Sequence, residues 1–332
     1  MTRKHVVLLT TGGTIASKTS EAGLNISGAL SGDVLFERVV LPPESDIEVE
    51  VRSILQKPSN AITQADLIEI QQLCQHLAND PNVAGIVITH GTDTLEETAH
   101  FLDITLSFKH CALVVTGSQR APHEEGTDAF RNIANAIIVA AHPAMQGLGA
   151  LVVFNESIYA ARHVRKMNTY QVNAFESPGY GKLGYVDGLR ACLVQRPVRA
   201  KTLALGESLP RVDILPAYLD ASSDLIDAAV DGGAQGLVLE GLGRGHVPTS
   251  WLESIGRATG RGLPVLITSA CHQGPVHRSY EFPGSLASLE TQGAFAVRDL
   301  SARKARLSLA VLLSTHSNED ISSRLKQLNN DP

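Results

Sequence analysis

Residues 10–17, TTGGTIAS, follow directly on an apolar run from His5 to Leu9, and they set out one kind of chemistry, hydroxyl groups beside exposed backbone amides. Two glycines allow positive φ and a close approach of main chain to a bound molecule. Thr11 and Thr14 place hydroxyls next to N–H groups able to hold an anion. Such a hydroxyl is a nucleophile only where a neighbouring base takes its proton. A second segment, GIVITHGTDTLEETA at residues 85–99, supplies Thr92 and Asp93, again where an apolar run gives way to a helical pattern. Each segment alone also reads as local structure: a Gly-Gly turn whose threonines bond nearby backbone, and Asp93 as the N-cap of the following helix. A dinucleotide site is not indicated, because the GxGxxG spacing is absent and no P-loop lysine follows.

These segments need strands that end where a ligand can reach them. His5 to Leu9, Ala84 to Thr89, Leu113 to Thr116 and Leu151 to Phe154 read as buried strands, each followed by a helical period. Leu67, Ile70, Cys74 and Leu77 form one apolar stripe, and Phe130, Ile133, Ala134, Ile137, Ile138 and Ala141 another. Alternation of this kind predicts an α/β fold with a doubly wound, mostly parallel sheet, whose ligand crevice lies at the carboxyl ends of the strands. Thr63 with Asp66 and Thr94 with Glu97 have capping-box spacing at two helix starts. Between Leu193 and Arg211 the pattern breaks up among two prolines and a glycine, which predicts a linker at 193–211 between an N-terminal domain, 1–192, and a smaller α/β domain, 212–332. In the latter, VDILPAY, Gly236 to Leu239 and Pro264 to Thr268 read as strands, with helices at Leu225 to Val230 and, last, near Ala305 to Leu313.

A formal charge of −6, with 28 basic residues spread among 34 acidic ones, leaves no domain-scale basic face for a nucleic acid. The start, MTRKHVVLLTTGG, holds four consecutive apolar residues where a secretory core needs about 7 to 15, so a cytoplasmic, membrane-free protein is expected. Cys74, Cys111, Cys192 and Cys271 lie far apart, as reduced thiols do. Cys271, His272 and His277 lack a fourth metal ligand and read as structural.

TGGTIA near the N-terminus and HGTDT about 80 residues later together resemble the two signatures of the bacterial-type L-asparaginase and glutaminase-asparaginase family. Further along, GSQR at 117–120 resembles the family's GAMR turn, VRKMNT at 164–169 its VTKTN segment, and LGY at 183–185 its LGY. The resemblance implies that Thr14 attacks a side-chain carboxamide to form a β-acyl-enzyme, and that Thr92, Asp93 and Lys166 act as a relay. Without it, Lys166 reads as one charge of a solvated run, RHVRK. The resemblance also places Ser59 and Asn60, in Pro58-Ser59-Asn60, on the family's substrate-binding GSQ turn, with an amide shorter than the usual Gln. Gly13, Gly91 and Ser118 would line the same pocket. The family's lid tyrosine has no counterpart in residues 21–32, where Leu24 or Asn25 aligns. Arg244 replaces the asparagine of the family's GxGNG, and Glu281 is the nearest candidate for its acidic residue lent across a dimer interface. The cysteines of extracellular members would fall at Asp80 and Phe108, which agrees with a cytosolic form.

The implied activity is hydrolysis of L-asparagine to L-aspartate and ammonia by a homodimer or homotetramer without cofactor or metal. L-Glutamine, an ammonia-donating amidotransferase role and a catalytically weak amino-acid-binding regulator are the alternatives, the last prompted by the missing tyrosine.

Overall fold

The computed structural model describes residues 3–108, 110–199, 201–315 and 321–329. Its first strand, β1 (Lys4–Gly12), carries Val6, Val7, Leu8 and Leu9 with no exposure at all, as a strand covered on both faces requires. The chain then forms a small hairpin, β2 (Lys18–Thr19) and β3 (Asn25–Ile26), a short helix α1 (Gly32–Phe36) and a long strand β4 (Ile47–Lys57). Strands and helices alternate from there: α2 (Gln64–Asn79), β5 (Val83–Thr89), α3 (Leu95–Thr105), β6 (Ala112–Thr116), α4 (Ala129–Ala140) and β7 (Ala150–Phe154). The remaining strands of this half are β8 (Ser157–Ala160), β9 (Arg165–Lys166), β10 (Phe175–Glu176), β11 (Gly184–Asp187) and β12 (Arg190–Leu193).

Eight of these strands make one sheet in the order β12-β11-β8-β7-β6-β5-β1-β4. From β7 to β4 all neighbours are parallel, and β8, β11 and β12 add an antiparallel edge. The direction changes at β7–β8, a tight turn in which Asn155 and Glu156 both take positive φ, 46° and 61°. Val6, Leu8, Val87, Val114, Leu151 and Val153 pack with Ile133, Ile137 and other residues of α4 on one face. Helices α2 and α3 cover other parts of the sheet, α2 touching β5 and α3 touching β6 and β7. The four predicted strands are present, and the sheet is mixed with a parallel majority.

Strand β4 has no counterpart among the sequence expectations. IEVEVRSILQK sits at the sheet edge and is half-buried along its length, so polar residues interrupt Val49 and Val51 and no apolar run announces it. The chain passes from β1 to β4 on one side and returns to β5 on the other side of β1. The carboxyl ends of β1 and β5 therefore flank a topological switch point, where an open α/β sheet leaves a crevice.

The chain divides into two compact units, Met1–Arg199 and Ala200–Pro332. Residues 194–199 and 201–211 carry neither helix nor strand. In the second unit β13 (Val212–Pro216), β14 (Gly236–Gly241), β15 (Val265–Ser269) and β16 (Phe295–Ala296) form a parallel sheet in that order. Its helices are α5 (Asp224–Asp231), α6 (Leu252–Gly260), α7 (Leu286–Thr291), α8 (Ala302–Leu313) and α9 (Ile321–Leu325). The helix expected to be the last, α8, is thus followed by another. Both units are α/β, as the alternating pattern predicts. Among the described residues no helix is long and apolar enough to cross a membrane, and no group of three or more His, Cys, Asp or Glu side chains is gathered to hold a metal. All four cysteines are free.

Candidate active site

Three loops meet at the carboxyl ends of β1, β4 and β5, and they meet backbone to backbone. Gly12 and Gly13 take φ of 109° and 83°, open to glycine and strained for other residues. A Cβ on Gly13 would stand 2.4 Å from Cα and N of Gly91, and a Cβ on Gly91 would stand 2.8 Å from the Ser59 side chain. The TGG, PSN and HGT segments are therefore packed at distances only glycine permits. Gly117, after β6, joins them, since a Cβ there would lie 2.5 Å from the carbonyl oxygen of His90. Gly13→Ala is expected to cost about 2 kcal/mol or more of stability, from strained φ and overpacking together. Chemical denaturation checks this, and an unchanged free energy of unfolding would mean the loops are looser than this contact implies.

The same packing sorts the hydroxyls. Thr11 is buried and donates to the carbonyl of Thr89 at 2.9 Å, so its group is spent tying β1 to β5. Within Gly13–Ser17, Thr14 alone is not fully buried; Ile15 and Ala16 are anchored in the core. A single 3₁₀ turn, Thr14–Ala16, thus leaves the threonine partly exposed just beyond the carboxyl end of β1. Thr92, 5% exposed, accepts a hydrogen bond from Lys166 Nζ at 2.8 Å, and the same nitrogen donates to Asp93 Oδ1 at 2.7 Å. Lys166 lies in β9, paired with β10, and only 18% of its side chain is exposed. Glu96, buried in the first turn of α3, accepts from the backbone N of Lys166 at 2.7 Å. Gln119 donates to the carbonyl of Asn168 at 3.3 Å and ties the turn after β6 to the lysine segment.

Residues 5–199 match the asparaginase N-terminal domain family, and residues 211–325 the glutaminase/asparaginase C-terminal domain family. The chain belongs to the asparaginase/glutaminase family. It is similar to an L-asparaginase of Bacillus licheniformis, 42% identical over 94% of this chain and 96% of that one. A glutaminase-asparaginase of Pseudomonas fluorescens biotype A is 30% identical over 96% of this chain and 88% of its own. The crystal structure of a probable cytoplasmic L-asparaginase from Campylobacter jejuni superposes with a TM-score of 0.87 at 28% identity, covering 98% of this chain and 99% of that one.

In this asparaginase/glutaminase the other residues singled out in the sequence are placed as follows. Ser59 is buried beside Gly91, whereas Asn60 is exposed. Thr63 and Asp66 form a full capping box, in which Asp66 also holds Lys57 at 2.8 Å. Burial works against the Asp66 carboxylate, yet Lys57 and Thr63 donate to it strongly enough to lower its pKa. The second capping box does not form. Thr94 is the N-cap of α3, but its hydroxyl donates to the carbonyl of Ser59 at 2.9 Å and so binds the PSN turn to the HGTDT turn. Asp93 is not the N-cap either; its carboxylate, 72% exposed, reaches Lys166 instead. Ser118 is wholly buried and donates to the carbonyl of Arg120 at 2.8 Å, which engages its hydroxyl inside its own turn. In the β2–β3 hairpin Leu24 is 71% exposed, while Asn25 donates to Glu124 at 2.9 Å. Arg244 and Glu281 belong to the second unit, both exposed, with Arg244 donating to the carbonyl of Pro275 at 3.4 Å and Glu281 lining a cavity of about 700 Å³.

Two contributors to the crevice were missed in the sequence, Glu96 and His90. His90 is fully buried, its Nδ1 2.8 Å from the carbonyl oxygen of Gly91 and its Nε2 2.9 Å from Thr98 Oγ1. Nδ1 must carry a proton to meet a carbonyl, and in the neutral ring that leaves Nε2 to accept from Thr98. Burial lowers its pKa from 6.5 to about 4, against the opposing effect of the Gly91 carbonyl. Between those values the unfolded chain binds a proton that the folded chain does not, so stability falls as pH drops from 6.5 towards 4. The loss amounts to about 3 kcal/mol at most. His90→Gln is expected to abolish this component, read from urea denaturation at neutral and acidic pH; an identical pH slope in the variant would contradict it.

Proposed function

We propose that this chain is an L-asparagine amidohydrolase that works through a threonine acyl-enzyme. The observation that supports this most is the placing of Lys166 Nζ within hydrogen-bond distance of Thr92 and Asp93, 74 and 73 residues away in sequence, beside the turn that presents Thr14. Thr14 Oγ1 attacks the carboxamide carbon as its proton passes to the Thr92 oxygen, and the Thr92 hydroxyl gives up its own proton to Lys166 Nζ, which takes part in this step as the neutral amine. The C–N bond breaks, the nitrogen takes a proton from the same relay, and ammonia leaves. Water then hydrolyses the β-aspartyl ester, restoring Thr14 and releasing L-aspartate. Backbone N–H groups at the ends of β1, β5 and β6 stabilise the oxyanion, those of Gly13, Gln119 and Arg120 excepted, since they already donate to Lys57 and Asp128. Ser59 and Asn60, with Gly13 and Gly91, hold the amino-acid end of the substrate.

No metal or cofactor takes part in this chemistry. The enzyme acts in the cytoplasm as a homodimer or homotetramer, in which Arg244 and Glu281 reach a neighbouring copy's pocket. L-Glutamine is the second substrate to consider, because a relative matched over 96% of this chain is a glutaminase-asparaginase. One methylene alters discrimination by about 1–3 kcal/mol, so either amide is compatible with the same machinery. Ammonia release measured in parallel from the two amino acids tests the proposal. Faster release from asparagine is expected; a glutamine preference would reassign the substrate. Thermal stabilisation by both without turnover would point to an amino-acid-binding regulator.

A further inference from the structure

We infer that Glu96 is a positioning residue for Lys166, an inference that rests on the catalytic reading of that lysine. A lysine side chain has four rotatable torsions and holds its nitrogen in one place only when both ends are fixed. Here both ends are. Nζ is held by Thr92 at 2.8 Å and Asp93 at 2.7 Å, and the backbone N of the same residue is held by Glu96 Oε2 at 2.7 Å. All three acceptors come from residues 92–96, the turn after β5 and the first turn of α3, so a single short segment spans the lysine from its amide to its side-chain nitrogen. Strand β9 is only two residues long, with Lys166 opposite Phe175, and sheet pairing alone gives it little purchase. A carboxylate accepting from an amide makes a shorter, stronger bond than a neutral acceptor does, and Glu96 is 5% exposed, which shields that bond from water. The carboxylate touches no reacting atom in this arrangement; it sets the distance from Lys166 Nζ to Thr92.

The test uses the full-length protein and a double-mutant cycle. Glu96→Ala is expected to lower kcat for L-asparagine by about 10- to 100-fold, the scale of a catalytic group displaced by about 1 Å, with KM within about twofold. Glu96→Gln keeps an acceptor at the same reach and is expected to retain most of kcat. Glu96→Asp keeps the charge but falls one methylene short, so it behaves like the alanine variant and serves in its place if that variant does not fold. On a Lys166→Met background the Glu96→Ala effect is expected to vanish. A Glu96→Ala kcat equal to wild type, an equal loss in Glu96→Gln, or an undiminished loss on the Lys166→Met background would each overturn the assignment. If Lys166→Met itself retains full activity, the relay reading has failed instead, whatever Glu96 does.

Discussion

Thr14→Ala is expected to lower kcat for L-asparagine by roughly 10⁴-fold or more, the scale on which losing a covalent nucleophile acts. The fold is expected to survive. Thr14 is only partly buried, and the 3₁₀ turn around it is held by backbone and by neighbours: Ala16 N and Ser17 Oγ both donate to the carbonyl of Gly13 at 3.1 Å. None of these bonds involves the Thr14 side chain. Thr11→Ala provides the contrast, because its hydroxyl is buried and bonded to Thr89. That variant is expected to lose about 1 kcal/mol of stability and little activity. Steady-state ammonia release with thermal melts on both variants checks the pair; a Thr14→Ala enzyme within tenfold of wild type would remove this residue from the chemistry.

Lys166→Met is expected to lower kcat by roughly 10²- to 10⁴-fold, as loss of a general acid or base does, with only a small loss of stability. The second half follows from exposure. Asp93 is 72% exposed, and an ion pair with so solvated a partner contributes about 0–1 kcal/mol. A large kinetic effect beside a small thermodynamic one marks a group whose work lies in the reaction. Lys166→Arg sharpens the point, since guanidinium keeps the charge but does not give up a proton. It is expected to be as slow as the methionine variant. Recovery in the arginine variant would show that Lys166 supplies charge alone.

Much of the N-terminal half was legible because parallel strands buried on both faces are written as apolar runs: Val6 to Leu9 and Ile86 to Ile88 carry no polar residue and are wholly buried. Strand β4, at the edge, writes no such run and was invisible. The catalytic candidates divide along similar lines. Thr14, Thr92 and Asp93 stand at strand ends in unusual strings, whereas Lys166 looks like any surface charge by its residues and is picked out only by the family resemblance of VRKMNT. Glu96 acts on a backbone amide, and His90 divides its ring between a backbone carbonyl and the Thr98 hydroxyl eight residues on, so neither leaves a recognisable pairing in the side-chain letters. Thr94 shows the reverse case. Its spacing to Glu97 is right for a capping box, yet the carbonyl of Ser59, brought close by the glycine packing, takes its hydroxyl first.

An acyl group carried by Thr14 can be weighed directly. Enzyme turning over L-asparagine is quenched in acid, digested and examined by mass spectrometry. The peptide containing Thr14 is expected to gain the mass of one aspartyl group, and Thr14→Ala enzyme to show no such gain. The same adduct on the peptide containing Thr92, or full ammonia release by Thr14→Ala enzyme with no adduct anywhere, would contradict an acyl-enzyme at Thr14.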